Sequence, residues 1–140
     1  MHKIKVFPGL YNPFVQEYKH YYHVCIFDVK EEMWEVGRKL STWEKDKGGY
    51  GAITIPTWRE KFVDGQLIKA PKIGTVLFYK DLLGSETISH EAVHMATSYL
   101  RILDQLKLSN QIDENEEKLA YCIGSCTRQI VDNLYKLKIL

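Results

Sequence analysis

The spacing of apolar positions changes along this chain, and each change predicts an element. Tyr22-His23-Val24-Cys25-Ile26-Phe27 is a short run of β-branched and aromatic residues, the composition of a strand covered on both faces. Directly after it, Met33, Val36, Gly37 and Leu40 recur at helical spacing, and Asp28 with Glu31 three positions on has the form of a capping box. A helix is therefore expected to about Thr42. From Tyr50 to Tyr79 the pattern becomes extended: Ala52-Ile53-Thr54-Ile55 stops at Pro56, Asp64-Gly65 signals a hairpin, and Ile73-Gly74-Thr75-Val76-Leu77-Phe78 is strand-like. The remainder predicts two helices, one from about Glu86 to Leu106 behind a Ser85 or Thr87 cap and one from about Asn115 to Leu137, joined by a polar connector over Lys107 to Glu114. The expectation is a single α+β domain over residues 1–140, with a small, mostly antiparallel sheet.

Composition narrows the function classes. Lys and Arg number 19 against 18 Asp and Glu, a net charge of +1, without the basic excess that counterion release at nucleic acid demands. Nucleic acid is therefore disfavoured as a partner. No run approaches the apolar length of a membrane span, and the N-terminus has no apolar core followed by a cleavage site, so no membrane is expected and the localisation expected is cytoplasmic. Three cysteines, Cys25, Cys122 and Cys126, make a poor disulfide framework and are expected as free thiols in a reducing compartment. Nothing in the sequence sets the oligomeric state.

The candidate chemistry sits on the first long helix, where His90-Glu91-Ala92-Val93-His94 has the form HExxH. Histidines at i and i+4 project from one face a turn apart and can share one metal ion, while Glu91, 100° around the helix, can reach a metal-bound water. His90, His94, Thr97 and Arg101 fall on one side of the helical wheel, with Ile88, Ala92, Met95, Tyr99, Ile102 and Leu103 opposite. A zinc site of this kind needs a third protein ligand and an open fourth position. On the last helix Glu117, Ala120, Tyr121, Gly124, Arg128 and Val131 form one stripe, opposite Leu119, Cys122, Ile123, Cys126, Ile130 and Leu137. Small Ala120 and Gly124 would allow two helix backbones to approach, which selects Glu117 over Glu116 as the third ligand.

HEAVH followed, 23 residues after its second histidine, by Glu117-Lys118-Leu119-Ala120-Tyr121 resembles the gluzincin arrangement of zinc metallopeptidases. More narrowly, it resembles small phage- and prophage-encoded metallopeptidases and the minimal zincin domain of ImmA/IrrE-type proteins. Metzincins carry a further glycine, where this chain has Thr97, and then a third histidine, which does not follow here. The resemblance implies a zincin-like fold, zinc as cofactor and hydrolysis of a protein or peptide substrate inside a bacterial host cytosol. His90, His94 and Glu117 would be metal ligands and Glu91 the general base, with Tyr121 or Arg128 as donor to the oxyanion. It also implies that the strand before the metal helix, Ile73 to Tyr79, lines the substrate cleft. The rival is a phage-encoded effector or anti-defence protein that keeps the metal-site scaffold and acts by binding a host protein. A closed structural zinc site is disfavoured, since such sites usually take four Cys or His ligands.

Other motifs carry less. Cys122 and Cys126 lie on the apolar face and are expected in the core. His20 and His23 are expected as strand or loop residues, and His2 has no expected role. Gly48-Gly49-Tyr50-Gly51 lacks the spacing of a phosphate loop and reads as a connection. The aromatic N-terminal segment, with Phe7, Tyr11, Phe14, Tyr18 and Tyr21, is expected to pack on the sheet or to offer a patch to a partner.

Overall fold

In the computed structural model, which describes residues 1–15, 18–41, 50–57, 60–103 and 112–140, the chain runs through β1 (His2–Val6), β2 (Tyr21–Phe27), α1 (Lys30–Leu40), β3 (Ala52–Pro56), β4 (Glu60–Val63), β5 (Gln66–Lys69), β6 (Lys72–Tyr79), a 3₁₀ turn at Lys80–Leu82, α2 (Ser85–Ile102) and α3 (Ile112–Lys136). Four strands form one sheet in the order β1-β2-β6-β3, and β4 and β5 form a separate hairpin. β1 pairs with β2 and β3 with β6 antiparallel, while the central β2–β6 pair is parallel. The result is a small α+β domain with a mostly antiparallel sheet, as the pattern predicts. Among the described residues no helix is long and apolar enough to cross a membrane.

Alternation along the strands decides which layer each side chain joins. Tyr22, Val24 and Ile26 of β2 and Val76 and Phe78 of β6 pack with Ile88, Ala92, Met95, Ala96 and Tyr99 of α2 and with Cys122, Cys126, Ile130 and Leu134 of α3. The Tyr22 hydroxyl donates to the Met95 carbonyl at 3.0 Å, tying β2 to α2. The opposite face contributes Cys25, Phe27, Leu77 and Ile55 to a smaller cluster closed by Met33, Trp34 and Val36 of α1. Gly74 allows the sheet to close around Tyr22. A Cβ there would stand 2.6 Å from the Tyr22 ring and 2.8 Å from the Ile55 carbonyl oxygen.

Several local expectations need correction. β1 was not foreseen, although Lys3-Ile4-Lys5-Val6 alternates as an edge strand does. Asp28 does not cap α1, whose N-cap is Val29 without a side-chain hydrogen bond. It lies one residue before the N-cap, 4.0 Å from the N-terminal ammonium and 3.9 Å from Lys80 Nζ. Neither Ser85 nor Thr87 caps α2. Its N-cap is Gly84, and the Thr87 hydroxyl donates to the Leu82 carbonyl at 3.0 Å. α3 begins at Ile112, earlier than the Asn115 start expected. α1 ends at Leu40 with Ser41 as its C-cap, and α2 ends at Ile102 with Leu103 as its C-cap, both short of the ends expected near Thr42 and Leu106. The Gly48-Gly49 connection and most of the Lys107 to Glu114 connector lie outside the described residues.

Gln129 of α3 clamps the N-terminal segment at Phe7. Gln129 Nε2 donates to the Phe7 carbonyl and Gln129 Oε1 accepts from the Phe7 N–H, both at 2.8 Å. Gln129→Leu, which keeps the volume and removes both of these bonds, is expected to destabilise the fold by about 1–3 kcal/mol, since the Phe7 N–H loses its partner and the Phe7 carbonyl keeps only the Ser125 hydroxyl at 3.4 Å. Urea denaturation reads it directly.

Cys122 and Cys126 are buried free thiols in the core, as their face predicts. Asn12 Nδ2 donates to Cys122 Sγ at 3.0 Å. Burial nonetheless pushes the Cys122 thiol from its ordinary 9.0 up to about 11, and raises Cys126 well above its ordinary value. The unfolded chain releases these protons first, so their contribution to stability is complete below pH 9.0 and is lost as pH climbs toward about 11. Denaturation midpoints measured at pH 8 and pH 10.5 are expected to fall, with a shallower fall in a Cys122→Ala, Cys126→Ala double variant. An equal fall in that variant would remove the thiols as a cause.

Candidate metal site

α2 presents its two histidines to solvent. His90 and His94, one turn apart, have ring centroids 4.9 Å apart at an interplanar angle of 68°, and their Nε2 atoms stand 3.3 Å from each other. The wheel prediction holds around them. His90, His94 and Arg101 are exposed, while Ile88, Ala92, Met95, Tyr99 and Ile102 are buried against the sheet and α3.

Glu91 turns the other way. It is only 4 % exposed, and its Oε2 accepts a hydrogen bond from the Thr54 hydroxyl at 2.5 Å. A buried carboxylate without a donor is costly, so Thr54 both satisfies this group and holds its orientation. Thr54 lies on β3, an edge strand of the sheet among the described residues. The partnership spans 37 residues, and no local signal in the sequence announces it.

The seam between α2 and β3 continues past this contact into a shallow cavity of about 210 Å³ lined by Pro56, Ser98, Arg101 and Ile102. Pro56 follows Thr54 by two on β3, and Ser98 follows Glu91 by seven on α2, so the same two faces meet there. This corrects the expectation for Ile73 to Tyr79. That segment is β6, hydrogen-bonded to β2 on one side and β3 on the other, and has no free edge to offer a substrate. Among the described residues, the edge strand next to the HExxH helix is β3.

Glu117 and Tyr121 lie elsewhere. Both are exposed on α3 and, with Tyr11, Ala120, Gly124, Ser125 and Arg128, line an open groove of about 380 Å³. The stripe read from the sequence is intact, but α2 meets α3 through its apolar face, including Cys122, Cys126 and Ile130. A Cβ on Gly124 would meet nothing within 4 Å, so the close helix approach inferred from Ala120 and Gly124 does not occur there. Tyr121 stacks obliquely on Phe14 with centroids 5.8 Å apart, and the Arg128 guanidinium lies 4.1 Å over the Tyr11 ring. Glu116 is exposed as well.

The structure thus brings His90 and His94 together, turns Glu91 of the same helix inward to Thr54, and leaves Glu117 in the separate α3 groove. Among the described residues no group of three or more His, Cys, Asp or Glu is arranged to hold a metal ion. Sequence reasoning missed Thr54 and the Ser98–Arg101 end of the seam, both of which depend on how β3 docks. No family model, no curated protein and no solved structure matches the chain.

Proposed function

We propose that the protein is a zinc-dependent peptidase with a minimal zincin-like site, in which His90 and His94 hold the metal and Glu91 is the general base. The supporting observation is the 3.3 Å separation of the two Nε2 atoms. Two nitrogens each about 2.05 Å from a tetrahedral zinc lie about 3.3 Å from one another. Without metal, the same separation serves a single hydrogen bond between the rings. Zinc would supply there a polarising charge for the scissile carbonyl and an ionisable water.

The chain's own residues supply the rest. Glu91 would take the proton of the attacking water and hand it to the leaving amine, and Thr54 would keep its carboxylate in one orientation. An extended peptide would add to the edge of β3 by main-chain hydrogen bonds, and Arg101 at the end of the seam would favour an acidic group there.

Purified wild-type protein is expected to hold about one zinc per chain, and His94→Ala to hold little. If neither contains zinc nor takes it up on titration, the proposal fails. Glu117 as third ligand comes from the stripe on α3, Tyr121 as oxyanion donor comes from the resemblance, and the ligand carries its own test. If Glu117 reaches the histidine pair when metal binds, Glu117→Ala weakens zinc by at least about tenfold while Glu116→Ala changes little. Equal affinities would mean that the histidine pair binds without α3.

A second reading, the host-protein-binding effector, is favoured by the aromatic groove, because Tyr11, Phe14 and Tyr121 are all exposed around it. Wild type that binds zinc, cleaves nothing and keeps its biological effect as Glu91→Gln would favour it.

A further inference from the structure

We propose that the chain carries a binding site for a phosphate-class oxyanion on the sheet face opposite α2, formed by Lys3 and Lys5 of β1, His23 of β2, and Lys72 and Thr75 of β6. The inference is independent of the peptidase reading, since α2 and its histidines pack on the other side of the sheet.

The register assembles the site. Lys5 is paired with His23, His23 with Thr75, and Lys3 with Cys25, and residues in register share a face. α1 covers the neighbouring part of this face through its cluster with Cys25, Phe27 and Leu77. Beyond that cluster Lys3 and Lys5 are exposed, His23 is half-buried, and Thr75 is the deepest member, 3 % exposed.

Two observations point to a ligand. The Thr75 hydroxyl and His23 Nδ1 are buried and, among the described residues, have no hydrogen-bond partner, whereas buried polar groups are ordinarily paired. Both can donate. In addition, the charges acting on His23 are Lys72, Lys3 and Lys5, which together with burial hold its imidazole below the ordinary value. Among the described residues none of the three lysines is in an ion pair with a carboxylate. The strand register sets Lys5 beside His23 and Thr75, with Lys3 and Lys72 on neighbouring positions of the same face, a set of cations and donors that suits a multiply charged anion with several acceptor oxygens. Tyr21 forms one wall, its ring 5.2 Å from His23 and 5.7 Å from Phe7, with Lys5 Nζ 4.6 Å over its face.

The test is a titration of the full chain with inorganic phosphate, followed by NMR at the His23 ring and the Thr75 amide. Saturable shifts at both are expected, without shifts at His90 and His94, together with a rise in the His23 pKa, because the anion favours the imidazolium against Lys3, Lys5 and Lys72. A Lys5→Gln, Lys72→Gln double variant should bind at least about tenfold more weakly. Thr75→Val should also weaken binding, yet fold as stably as wild type or more so, since an apolar isostere removes an unsatisfied hydroxyl. A nucleoside monophosphate binding as tightly as phosphate, or more tightly through Tyr21, agrees with the proposal. Absence of saturation, shifts unchanged in the lysine variant, or binding seen only with a single-stranded oligonucleotide and steeply weakened by salt would each overturn it.

Discussion

Glu91→Gln is expected to keep the fold and the zinc while lowering peptide hydrolysis by about 10²- to 10⁴-fold, the range for loss of a positioned general base. The amide is nearly isosteric, and its oxygen can still accept from Thr54, whose hydroxyl lies 2.5 Å from Glu91 Oε2. Structure is thereby separated from chemistry: circular dichroism and zinc content should match wild type, and only turnover should change. Thr54 supplies a companion readout as a positioning residue. Thr54→Val should lower kcat with little change in KM, and Thr54→Ser, which restores the donor, should recover most of it. Undiminished hydrolysis in Glu91→Gln would end the proposed mechanism.

The largest stability effect is expected at Phe78. It is fully buried on β6, the strand paired on both sides, and its ring joins the cluster that α2 and α3 cover. Phe78→Ala should cost about 3–5 kcal/mol through lost burial and the cavity left behind. Phe62→Ala is the control. Phe62 is 76 % exposed on the β4–β5 hairpin, so its removal should change stability by no more than about 0.5 kcal/mol. Equal losses by chemical denaturation would mean that the hairpin is buried in solution.

These two phenylalanines mark the limit of what is legible along the chain. Each follows a lysine or an aliphatic residue within a short strand-like run, and period two assigns both to a strand. Periodicity reports which face of an element is apolar, not what covers that face. It did determine β2, β3 and β6, the apolar side of α2 and the burial of Cys122 and Cys126, because each depends on residues within two turns of one another.

Only the tertiary structure decided the rest. Strand order is a contest among non-local pairings, each with its own loop-closure entropy, and no local pattern announces that β6 is interior and β3 an edge strand. From that order follow the Thr54–Glu91 contact, the seam toward Arg101, and the placement of Lys3, Lys5 and Lys72 near His23. Glu117 shows the same limit from the other side. Its stripe on α3 was legible in the sequence, but whether the stripe met α2 or solvent depended on the competing apolar face. That face carries Leu119, Cys122, Ile123, Cys126 and Ile130, and it took the helix contact because it buries more apolar area than Ala120 and Gly124 can.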